Sequence, residues 1–158
     1  MPWEKNAVYR NVYLHYAKNL PTPYCDQLRT FALNSARKEF EEKLQDFFNS
    51  GTSNSNAKRD RIESLAIECE SLGDSLPRGR FYERVGDHHR ALAIFVANKE
   101  WERASNTADR IKGREKEAAE YLYLAGKNKW VAIRAERLGD IDIAMAMRSG
   151  QYIVNLEA

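Results

Sequence analysis

Apolar residues recur along this chain at steps of three and four. No window alternates with period two, so the pattern predicts helices and no sheet. Val8, Tyr9, Val12, Tyr13, Tyr16 and Leu20 make one helical face over about 3–19, and Pro21 and Pro23 end it. Leu28, Phe31, Ala32, Ser35, Phe40, Leu44 and Phe47 form the stripe of a longer helix, from about Tyr24 to Phe48, which should pack on the first. Asn49 to Asn56 is a polar Gly/Ser/Asn run with no periodic apolar residue, and reads as a flexible loop inside one domain.

From Lys58 onward the segments shorten and their punctuation becomes regular. Ile62, Leu65, Cys69 and Leu72 make a stripe that stops at Gly73-Asp74, and the next stop, Gly86-Asp87, comes 13 residues later. Gly126-Lys127 and Gly139-Asp140 repeat that step at an offset of 53 residues, which Ala97-Asn98 and Gly150-Gln151 also keep; Gly113 supplies the remaining turn. Glycine takes the left-handed conformation at a helix C′ position without strain, and an Asp after it can cap the next helix, so each Gly-Asp reads as helix–turn–helix. Trp101, Ala104, Ala108 and Ile111, then Ala118, Leu122 and Ala125, then Val131, Ala135 and Leu138 supply interfaces whose small residues let backbones approach.

A period of tens of residues marks a solenoid. The expected fold is therefore all-α: two longer N-terminal helices, then about seven short ones stacked as a right-handed α-solenoid of helical hairpins. Residues 1–158 form one domain, with 1–49, 50–57 and 58–158 as its natural subdivision. A last helix, Gln151 to Leu156, carries Tyr152, Ile153 and Leu156 without a polar cap, which makes that end the place for self-association into a homo-oligomer.

Composition narrows the function. The 158 residues are 43% apolar, enough for a core, and 25 basic against 23 acidic residues leave a net charge of +2. The two signs are interspersed and no basic arm stands out, so nucleic acid is not an expected partner. Cys25 and Cys69 have no metal or redox spacing, no Asn-x-Ser/Thr sequon occurs, and no apolar run follows a basic start. The longest apolar run, Ala91 to Ala97, is far short of a membrane span. These features fit a soluble, cytoplasmic or otherwise intracellular chain without membrane insertion.

Catalytic patterns are missing too. Gly113-Arg114-Glu115-Lys116 lacks the spacing of a phosphate loop, and His15, His88 and His89 fit no zinc or di-iron pattern. His88 and His89 follow the Asp87 cap and read as solvated first-turn residues. Glu39/Glu42 and Glu117/Glu120 sit among Lys and Arg as charged faces. No catalytic residue, metal ligand or cofactor site is assigned. The aromatics carry more. Tyr82, Trp101, Tyr123 and Trp130 stand near Arg84 and Arg134, and large aromatics with Arg are the anchors protein interfaces use. Packing between hairpins explains most of them equally well, and Trp130 or Tyr123 is the candidate for facing a groove.

The run Phe81-Tyr82-Glu83-Arg84-Val85-Gly86-Asp87-His88-His89-Arg90-Ala91-Leu92, with Ala118 to Gly126 and Ala135 to Asp140, resembles tetratricopeptide-like α-solenoids of the degenerate kind in coat and transport-complex subunits. The resemblance covers roughly Ile62 to Tyr152. A 53-residue period replaces the family's usual 34, so standard ligand positions do not carry over. It implies a non-enzymatic scaffold or adaptor that binds another protein's peptide or helix.

A second resemblance lies at the other end. Val8-Tyr9-Arg10, Leu20-Pro21 and Arg29-Thr30-Phe31-Ala32-Leu33 with Arg37 and Phe40 are similar to the LYR-motif family of mitochondrial assembly factors, although Val stands for the family's first Leu. It would imply Tyr9, Arg10, Arg37 and Phe40 docking an acyl carrier protein in the mitochondrial matrix, with Ile62 to Leu72 as third helix. An enzyme whose site forms only in three dimensions is the remaining alternative.

Overall fold

The computed structural model describes residues 22–50, 56–137 and 139–156, with Asn11 and His15 besides. Apart from those two positions, the predicted first helix lies outside the described residues, as do 51–55 of the predicted loop. Among the described residues all regular structure is helical, in eight helices without a strand, so the protein is all-α. The chain divides into two compact units, Met1–Phe81 and Tyr82–Ala158.

The first unit holds α1 (Thr22–Asn49), α2 (Asn56–Ser71) and the start of α3 (Leu76–Val85). On α1 the buried stripe is Ala32, Ala36, Phe40, Leu44 and Phe47, and on α2 it is Ile62, Leu65, Ala66 and Cys69. Ala32, Ala36, Cys69 and Leu72 form one cluster, where alanine lets α1 and α2 approach closely. Phe31, expected in that stripe, is 59% exposed. It precedes Ala32 by one residue, which turns it about 100° around the axis and out of the stripe. Asp74 organises the following turn: one carboxylate oxygen accepts from the Leu76 N–H at 3.1 Å and the other from Arg37 Nε at 2.6 Å.

The second unit holds the end of α3 and then α4 (His88–Ala97), α5 (Trp101–Ala108), α6 (Glu115–Leu124), α7 (Asn128–Arg137) and α8 (Ile141–Arg148). The turns follow one recipe. Gly86 and Gly139, expected to be left-handed, have φ of 85° and 77°. The Asp87 N–H reaches the Tyr82 carbonyl at 2.9 Å and the Gly86 N–H that of Glu83 at 3.2 Å, the paired bonds of a Schellman turn. The same pair recurs with Gly73-Asp74, Lys99-Glu100, Gly126-Lys127, Gly139-Asp140 and Gly150-Gln151. Asp87 and Asp140 cap the next helices, each accepting from the N–H three residues on at 3.2 Å.

Two expectations besides Phe31 need correction. The break at Ala97-Asn98 turns on Lys99, the one non-glycine with positive φ among the described residues, at 56°. Lys99 rather than Ala97 is therefore the counterpart of Gly150, 51 residues on, because α4 has 10 residues and α8 has 8. The expected last helix is absent: Gln151 to Leu156 has no helical structure. Its Tyr152 instead meets Tyr123 edge-on at 5.8 Å and donates a 2.5 Å hydrogen bond to Glu120. Burial and that carboxylate push the Tyr152 phenol up to about 12.

From α4 to α8 each helix packs on its sequence neighbour. Alternate helices also meet. Arg134 of α7 reaches Ser105 and Asp109 at the end of α5, and Tyr152, after α8, reaches Glu120 of α6. Ala119 of α6, Val131 and Ala135 of α7, and Ala144 and Met147 of α8 form one core cluster. Ala104, Ser105, Ala108 and Ala118 are fully buried, and the absence of bulk brings the Ser105 hydroxyl within 2.7 Å of the Ala118 carbonyl.

Candidate functional site

α7 has two faces. Val131 and Ala135, four residues apart, are 0% and 2% exposed and belong to the core. Trp130, Ile133, Arg134 and Arg137 follow the helical steps of three, four and seven along another face. That face borders a groove, with Glu102 and Asn106 of α5 opposite it and Leu122 and Lys127 completing the lining. Trp130 is 64% exposed there, far more than a tryptophan used for packing.

The charged groups of the groove differ in freedom. Arg134 is fixed: one guanidinium nitrogen lies 2.5 Å from Asp109 and another donates to the Ser105 hydroxyl at 3.3 Å. Ser105 in turn donates to the Ala118 carbonyl, so three consecutive helices hold this arginine in place. Lys127 and Glu102 pair across the rim at 3.2 Å, both well exposed, where such a pair contributes little stability and breaks easily. Arg137 is exposed and marks the last turn of α7. The groove thus offers an apolar anchor, a rigid guanidinium wall and an accessible cation.

The structure brings together two of the residues singled out as partner-binding, Trp130 and Arg134. The others lie elsewhere. Tyr82 is buried, with the Arg90 guanidinium 5.4 Å from its ring centre. Arg84 is exposed on α3. Trp101 stacks on Tyr121 at 6.1 Å and an interplanar angle of 11°, and Tyr123 meets Tyr152. Burial and the nearby Glu117 carboxylate raise the Tyr121 phenol. Of the second set, Tyr9 and Arg10 lie outside the described residues, Arg37 pairs with Asp74, and Phe40 is fully buried.

Glu102, Asn106, Lys127 and Ile133 were not singled out from the sequence, and Leu122 was read there only as a contact between helices. Ile133 had a signal, since it completes the Trp130 stripe; Glu102 and Asn106 become neighbours of that stripe only through the packing of α5 and α7. His89 is exposed and His88 half-buried. Among the described residues no three His, Cys, Asp or Glu side chains are grouped to hold a metal ion, and no helix is long and apolar enough to cross a membrane. Comparison of the chain with protein-family models, with curated proteins and with solved structures finds no match to any of them.

Proposed function

We propose that this chain is a non-enzymatic scaffold or adaptor, a right-handed tetratricopeptide-like α-solenoid that binds a segment of another protein in the groove between α5 and α7. The observation that carries this is Trp130, a large aromatic 64% exposed beside an arginine held by Asp109 and Ser105, on a helix whose core-facing stripe, Val131 and Ala135, is buried. Exposed aromatics next to fixed guanidinium groups are the usual anchors of protein interfaces. The recurring Schellman turns, the neighbour-to-neighbour packing of α4 to α8 and the contacts between alternate helices support the solenoid, in which each unit touches only those near it in sequence.

The test is affinity purification with the wild-type chain and with Trp130→Ala and Trp101→Phe variants, all verified as helical. A protein retained by wild type and Trp101→Phe but lost from Trp130→Ala is the expected result. Partners that bind all three forms alike would remove the groove from the function. An experimental structure in which residues 73–95 and 126–148, which keep the 53-residue offset, do not superimpose would remove the solenoid.

A further inference from the structure

We propose that the occupant of the α5/α7 groove is an acidic protein segment built around one large apolar residue. This rests on the docking function proposed above and adds the chemistry of the partner. Beyond Trp130, the apolar surface of the groove comes from Leu122 and Ile133. Three apolar residues among eight lining ones suit a single anchoring side chain better than a continuous apolar face. The charges around it are uneven: Lys127, Arg134 and Arg137 line the groove against a single carboxylate, Glu102.

The cations differ in what they can accept. Arg134 is neutralised by Asp109 at 2.5 Å and serves as a wall. Lys127 is 50% and Glu102 61% exposed, so their pairing costs little to exchange for a partner's carboxylate. Arg137, exposed seven residues beyond Trp130, lies about 10 Å along the helix axis from it. A guanidinium recognises a carboxylate bidentately and tolerates partial desolvation better than an ammonium. The groove therefore reads an apolar side chain at Trp130 and a carboxylate at Arg137, a separation of about three residues in an extended chain.

Fluorescence anisotropy with labelled peptides tests this. The probes are an eleven-residue peptide with a central Leu flanked by Asp and Glu, the same peptide with Lys at every acidic position, and the acidic peptide with Ala for Leu. The acidic Leu peptide is expected to bind, more weakly as salt rises, and the other two at least tenfold more weakly. Arg137→Glu should cut affinity for the acidic peptide at least tenfold and improve that of the Lys peptide; Trp130→Ala should weaken both. Equal binding of acidic and Lys peptides, or indifference to Arg137→Glu while Trp130→Ala still abolishes binding, overturns the acidic partner and leaves the docking function standing. Indifference to both substitutions, or a preference for a single-stranded oligonucleotide, overturns the two together.

Discussion

Lys99 carries a cost that the glycines at the other turns avoid. It holds φ of 56°, in the region where an L side chain crowds the following carbonyl. Lys99→Gly removes that crowding and should stabilise the protein by up to about 1 kcal/mol. Gly139→Ala makes the reverse change. A Cβ at Gly139 meets nothing within 4 Å, so the expected loss of about 1 kcal/mol comes from the backbone alone. Thermal or urea unfolding of the two variants checks both signs. A Lys99→Gly protein less stable than wild type would mean that the lysine side chain earns its place by a contact outside the turn. Lys99 was invisible in the sequence because the turn signal there is read from glycine, and a lysine held left-handed by its flanking hydrogen bonds leaves no such mark. Phe31 went astray by another route: its steps of three from Leu28 and four to Ser35 placed it in the stripe, whereas the steps through Ala32, Ala36 and Phe40 decided the buried face.

At the scale of elements, the helices after Lys58 were legible because glycine marks most of their ends in the chain, the end of α4 at Lys99 being the exception. Gly73, Gly86, Gly126 and Gly139 all prove left-handed, and Asp87 and Asp140 both cap. The terminal segment was not legible. Tyr152, Ile153 and Leu156 have helical spacing, yet the segment lacks a cap, and Tyr152 gains its partners Tyr123 and Glu120 without forming a helix. Most of the groove was also hidden, since it depends on which helix stands beside which. Asp140→Ala removes the acceptor of the Ile143 N–H and should destabilise by about 0.5–2 kcal/mol. Asp140→Asn keeps an acceptor and should cost only a fraction of that. Equal losses in the two variants would show that charge, rather than the cap hydrogen bond, is what Asp140 contributes to α8.

For the molecule as a whole, the turn-to-turn beat between Tyr82 and the C-terminus determines how far apart in the chain interacting residues are. Ser105 and Ala118 are 13 residues apart, Arg134 and Ser105 29, and Tyr152 and Glu120 32. Few long loops have to close before contacts compensate for the lost entropy, which is the condition for fast folding. Trp101 and Trp130 both lie in this unit, so a Trp3→Phe chain reports on it by fluorescence. Refolding from urea should then show a main phase on the order of milliseconds or faster, as in proteins rich in local contacts. A main phase of seconds would indicate that something other than neighbouring helices limits the search. Speed has a corollary for assembly during synthesis: each helix from α5 onward finds its partner already made when it leaves the ribosome, so this half of the chain can order itself progressively from its N-terminal side instead of waiting for its last residue.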